Sequence, residues 1–261
     1  MSTSVFDIRL ISSYDEATKV SQEIKEAYAG PVGFDTETEL TNNRRVSQVS
    51  TIQLYVPWTH RKPVCYIFHV GLWDIRRRED VPVGLRQILT CKTILKACAA
   101  PENDVNWIRS DFGITMAGYV DIQTYAAIEG HEKLGLDSLA QELLPQWTGK
   151  SKDMHTMRWN LPLTKEMIEY AANDAYASLE LLRILAPQFF KPMKEIRDKN
   201  LATKVWSLMK KNPDKPDDFV SVVKHCDHFF RPLIKHVGER RCLSCLVASE
   251  ICQRAGIRMA A

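Results

Sequence analysis

The chain has 261 residues, a formal net charge of +3, 45% hydrophobic and 26% charged residues, which excludes a disordered, collagenous or low-complexity protein. No apolar run approaches the roughly 18 residues of a membrane helix, and the opening "MSTSVFDIRLISSYDEA" lacks the basic onset and apolar stretch of a secretory signal. Seven cysteines scattered among Lys and Arg suit a reducing compartment better than a disulfide framework, so an intracellular protein is expected, nuclear or cytoplasmic.

Charge divides the chain. Residues 1–190 hold 20 Lys and Arg against 24 Asp and Glu, whereas residues 191–261 hold 15 against 8. An acidic body with a basic tail points to a metal-loaded site on one part and an anionic partner gripped by the other. A solvated basic helix accounts equally well for the tail.

Along the chain, "VFDIRLIS" alternates as a strand and "SYDEATKVSQEIKEAYAG" follows as an amphipathic helix ending near Gly30. "PVGFDTET", "VSTIQLYVP" and "VCYIFHV" predict three further strands, rich in β-branched and aromatic residues. A helix over "VGLRQILTC" leads to the strand "TILKACA", then to a helix "ENDVNWIRSDFG" that Gly113 stops. "GYVDIQTYAAIEG" is a strand or helix edge, "GLDSLAQELL" a helix, and "KSKDMHTMRWNLPLT" a loop. The longest periodic segment, "TKEMIEYAANDAYASLELLRIL", predicts a helix capped by Thr164, with Ile168, Ala171, Ala175, Leu179 and Leu182 on one face. This order argues for an α/β layered domain over residues 1–190, with "KKNPDKPDDF" as a linker inside the basic remainder, 191–261.

The strand "PVGFDTETEL" ends in three acids, Asp35, Glu37 and Glu39. Residues i and i+2 of a strand share a face, so Asp35 and Glu37 project together while Phe34 and Thr36 face the opposite layer. Adjacent carboxylates repel unless a cation lies between them, and hard oxygen donors suit Mg²⁺ or Mn²⁺. In the long helix Tyr170 and Asp174 stand one turn apart on one face. Asp104 falls where a helix begins, a position that also serves simply to complement the helix dipole. Glu39 is read as a solvated strand end, Phe34 and Trp107 as core, and the arginines at 76–78 as a surface turn.

This ordered set, Asp-x-Glu on a central strand, an Asp opening a later helix and Tyr-x₃-Asp on a late helix, resembles the Tyr branch of the DEDD 3′–5′ exonucleases (the DEDDy group), which includes ribonuclease D and the Werner-type exonuclease domains. The resemblance covers about residues 5–190 and extends to "VSTIQLYV" and to "RWNLPLTKEMIEYAANDAYASLELL". It implies a ribonuclease H-like fold, a mixed sheet flanked by helices, and two-metal hydrolysis of DNA or RNA from a free 3′ end. By the same resemblance Asp35 bridges two Mg²⁺ or Mn²⁺ ions, Glu37 and Asp174 help hold one, Asp104 binds the other, and Tyr170 orients the attacking water. Asp121 corresponds to a structural or near-site acid of the family, and Trp159 to a residue of the core or of the 3′-end pocket. The competing reading is an inactive nuclease fold that binds nucleic acid or a protein partner.

The tail segment "HCDHFFRPLIKHVGERRCLSCLVASEIC" carries a C-x-x-C knuckle at Cys242 and Cys245. Cys226 with His228, or His225 with His228, completes a possible tetrahedral zinc site. Helical packing without metal is the alternative, and in either case Arg231, Lys235, Arg240 and Arg241 offer a contact for nucleic acid.

Overall fold

The computed structural model describes residues 5–40, 47–75, 77–147, 149 and 157–190. The candidate zinc ligands Cys226, His228, Cys242 and Cys245, with the rest of the basic tail, lie outside the described residues.

Six strands form one sheet: β1 (Asp7–Ile11), β2 (Val32–Leu40), β3 (Ser47–Val56), β4 (Val64–Phe68), β5 (Lys96–Cys98) and β6 (Tyr119–Asp121). Their order is β1-β4-β3-β2-β5-β6, and β3 alone runs against the others. Helices α1 (Tyr14–Ala27), α2 (Val83–Thr90) and α3 (Glu102–Phe112) cover one face; α4 (Ile122–Glu129), α5 (Leu136–Leu143) and α6 (Lys165–Leu185) cover the other. This is the mixed, helix-flanked sheet expected from the sequence. No helix among the described residues is long and apolar enough to cross a membrane.

Each face of the sheet has its own apolar core, because strand alternation sorts the side chains. Phe34, Ile52, Leu54 and Phe68 meet α1 and α2, while Cys65, Ile67 and Ala97 meet α6. The α6 face is built from small residues, Ala171, Ala172, Ala175, Ala177 and Ser178, all buried, so the helix lies close to the sheet. Thr164 caps it, its side chain accepting from the Met167 amide at 3.3 Å. Gly113 terminates α3 in the left-handed conformation, φ +63°, as its position in the sequence predicted.

Boundaries shift where propensity and pairing disagree. "TILKACA" yields strand only over Lys96–Cys98, and "GYVDIQTYAAIEG" splits into β6 and α4. The split occurs at Asp121, whose carboxylate caps α4 by accepting from the Gln123 amide. Lys96 is fully buried, with Nζ donating to the carbonyls of Ile88, Cys91 and Ile94 at 2.7–3.0 Å. It thereby closes the C-terminal end of α2, where carbonyls lack partners of their own.

Candidate active site

The parallel strands β2 and β5 end on the same side of the sheet, where an α/β layer leaves a crevice. Asp35 and Glu37 of β2 pair across the sheet with Gln53 and Thr51 of β3, all on the face toward α6. That helix crosses β2 at Gly33, where an added Cβ would sit 1.9 Å from the Ala175 carbonyl oxygen. Backbone therefore rests on backbone, and the close approach sets Tyr170 and Asp174 over the strand acids. Asp35, Glu37 and Asp174 each offer a carboxylate oxygen, and the three lie within 4.8 Å of one another.

Three carboxylates so close repel strongly, the more so because Asp174 is 3% exposed. The packing of α6 on β2 is what buries Asp174. Hard oxygen donors converging from two elements fit a divalent cation of the Mg²⁺ or Mn²⁺ type. Tyr170 responds to the same field. Burial, then the charges of Asp174, Glu37 and Asp35, push its phenol well above the ordinary tyrosine value, and its hydroxyl bonds the Asp174 carboxylate.

Asp104 stands in the first turn of α3 and is also buried. Its carboxylate accepts from the Thr36 hydroxyl. Burial pushes its pKa up to about 6, against the pull of that hydrogen bond. Thr36 faces away from α6, as alternation predicted, and so links the Asp104 side of the sheet to the acid trio. Asp104 itself is not among the three acids that meet. The turn before α3 is fixed by Asp121, which also accepts from the Ala100 amide at 3.1 Å. Ala100 adopts φ +50°, a left-handed conformation that costs a non-glycine residue about 1–2 kcal/mol. Asp121 is therefore a structural acid beside the site, as expected.

A cavity of about 440 Å³ opens over these groups, lined by Asp35, Glu37, Tyr170 and Asp174 and also by Trp107, Leu136 and Trp159. Trp107 is half-buried and reaches this cleft, so its assignment to the core holds only in part. Trp159 is both core and wall: 1% exposed, it lies 6.2 Å from the Tyr170 ring and lines the cavity. Phe34 is wholly core.

Glu39 is not a solvated strand end. Its side chain is only 12% exposed and meets Arg158 at 3.5 Å and the Asn160 amide at 3.4 Å. The loop before α6 folds down onto β2 and brings these partners to it. Sequence reasoning also missed a buried polar row beside the acids. Gln53 donates to Thr51 at 2.7 Å, and His69 bonds the Trp159 carbonyl at 2.9 Å. Burial holds the His69 pKa below its ordinary value. The signal was present in "STIQLYV", where polar residues fall on the same alternate positions as the acids of β2. Arg77 and Arg78 form an exposed turn, Arg77 pairing with Asp80.

Residues 8–189 match the family model described as 3′–5′ exonuclease. The chain is 32% identical over 152 residues to the mouse bifunctional 3′–5′ exonuclease/ATP-dependent helicase WRN, covering 57% of this chain and 10% of that protein. It is 29% identical over 159 residues to an Arabidopsis thaliana 3′–5′ exonuclease, covering 59% and 52%. The chain thus spans about a tenth and about half of these relatives' lengths. Among solved structures it resembles Trypanosoma brucei RNase D in complex with RNA U12, with a TM-score of 0.58 at 19% identity, covering 77% of this chain and 68% of that one.

Proposed function

The chain belongs to the 3′–5′ exonuclease family, and we propose that it is a metal-dependent 3′–5′ exonuclease that hydrolyses phosphodiester bonds of DNA or RNA from the 3′ end. The observation that carries this reading is the convergence of Asp35, Glu37 and Asp174, from a central strand and a distant helix, with Tyr170 against them.

Asp35, Glu37 and Asp174 would hold one divalent ion, and Asp104 with Asp35 a second. When bound, such a pair supplies acidification of water and neutralisation of charge on the phosphate oxygens. The protein's own groups do the rest. Tyr170 stays protonated at neutral pH, because burial and, after it, the charges of Asp174, Glu37 and Asp35 oppose ionisation. It therefore acts as a hydrogen-bond donor that orients the attacking water, not as the base. Trp159 packs beside the phenol ring and fixes its place.

The test is digestion of 5′-labelled single-stranded DNA and RNA of equal sequence with Mg²⁺, Mn²⁺ or EDTA. Ladders shortening from the 3′ end, dependent on metal, are expected, and the ratio of the two rates names the substrate. Asp35→Ala should abolish digestion, and Tyr170→Phe should slow it while metal binding persists. Wild-type rates in Asp35→Ala, or digestion undiminished in EDTA, would refute the mechanism.

A further inference from the structure

Among the described residues the cleft is lined by carboxylates, a phenol, the neutral polar side chains of Thr36, Thr38 and Gln123, and apolar groups, with no Lys or Arg. Bound divalent ions would answer the charge of the phosphate being cut. The next phosphate of a polynucleotide finds no cationic side chain on that lining, so a cation for it would have to come from the rim. Backbone neutralisation by Lys or Arg is what gives nucleic-acid binding its affinity and its dependence on salt.

Arg158 is exposed and immediately precedes Trp159, which lines the cleft. Its mounting is elaborate for a surface arginine. Glu39, two residues beyond Glu37, meets Arg158 Nε through one carboxylate oxygen and accepts from the Asn160 amide through the other. One carboxylate thus grips the loop on both sides of Trp159. Beneath it, buried His69 bonds the Trp159 carbonyl. The arginine side chain is nevertheless 68% exposed while its partner is 12% exposed. An exposed ion pair contributes little to stability. A guanidinium met at Nε retains Nη donors, which together suit a phosphate.

We propose that Arg158 binds the phosphodiester backbone of the substrate beside the scissile phosphate, and that Glu39 is the positioning residue that holds it there. The proposal rests on nucleic acid being the substrate. The third acid of "DTETEL" then has a task distinct from the first two. Asp35 and Glu37 face the cleft, whereas Glu39 secures the cation at its edge.

The experiment measures binding of a 5′-fluorescein-labelled single-stranded oligonucleotide by anisotropy, with Ca²⁺ in place of Mg²⁺, over a series of KCl concentrations. Arg158→Gln should weaken binding on the order of ten-fold at low salt. It should also flatten the slope of log K against log salt by about 0.7, the value for one phosphate contact on a single strand. Arg158→Lys, which keeps the charge, should retain the slope. Glu39→Ala should weaken binding although it removes a negative charge, and Arg158→Gln should add nothing further in that background. A merely structural ion pair would lower thermal stability and leave the salt slope untouched.

An unchanged slope in Arg158→Gln, with a wild type that cuts, overturns this inference alone. Tighter binding by Glu39→Ala overturns it too, since Glu39 would then only screen the arginine. A wild type that binds no oligonucleotide refutes nucleic acid as the substrate and this inference with it.

Discussion

Asp174 carries opposite consequences for stability with and without metal. Surrounded by Asp35 and Glu37 and nearly buried, its charge destabilises the metal-free fold. Asp174→Asn should therefore raise the melting temperature in EDTA. Wild type should gain about 2.7 kcal/mol at Mg²⁺ or Mn²⁺ a hundred-fold above Kd, and the variant far less. Thermal unfolding with and without each ion checks both, and a metal shift that survives the substitution would place the ion elsewhere. Lys96 is another buried ionisable group. Burial pushes its pKa down to about 7, while the three carbonyls around Nζ favour the charged form. Between about pH 7 and the ordinary lysine value near ~10.4, the folded chain binds fewer protons than the unfolded one, so stability rises with pH across that window. Lys96→Met should cost about 3 kcal/mol through the carbonyls it abandons. Denaturant unfolding should show that cost growing from pH 7 to pH 10.

The junction of β2 and α6 decides whether a site exists. Tyr170 and Asp174 follow helical spacing and Asp35 and Glu37 follow strand spacing, so each pair is set locally. Their meeting depends on Gly33, where no side chain separates the strand from the Ala175 carbonyl. Gly33→Ala should force the elements apart, cost about 2 kcal/mol or more, and remove metal binding more completely than it removes the fold. Calorimetric metal titration beside circular dichroism separates the two effects. A variant that binds metal as wild type does would show that α6 can yield without disturbing the acids.

Among the described residues two apolar cores form, one beneath α1, α2 and α3, the other beneath α4, α5 and α6. The sheet places β2 between β3 and β5, so the acids sit at its centre with a helical layer on either side. A chain ending at residue 190 should therefore unfold in one cooperative transition near the full chain's melting temperature, as calorimetry would record. A broad, non-cooperative melt would assign the basic segment a part in the core. That segment's concentration of positive charge would then act on how tightly nucleic acid is held, through a term that salt screens.

What the sequence determined by itself was everything with a local period. The alternation of β2, the helix from Lys165, the Thr164 cap, the Gly113 stop and the pairing of acids at 35 with 37 follow from the geometry of one element at a time. The ordered motif identified the family on the same footing. Tertiary structure decided what those side chains do. Glu39 read as an exposed strand end because its partner amide, at Asn160, lies 121 residues further on. The burial of Asp174 could not be read from its helix, because nothing in a helix reveals how closely it rests on a strand. Thr36 joined Asp104, and His69 joined Trp159, across elements whose proximity only the packed sheet provides. Backbone periodicity is carried by neighbouring residues, whereas burial and charge pairing arise when distant elements come to share one core.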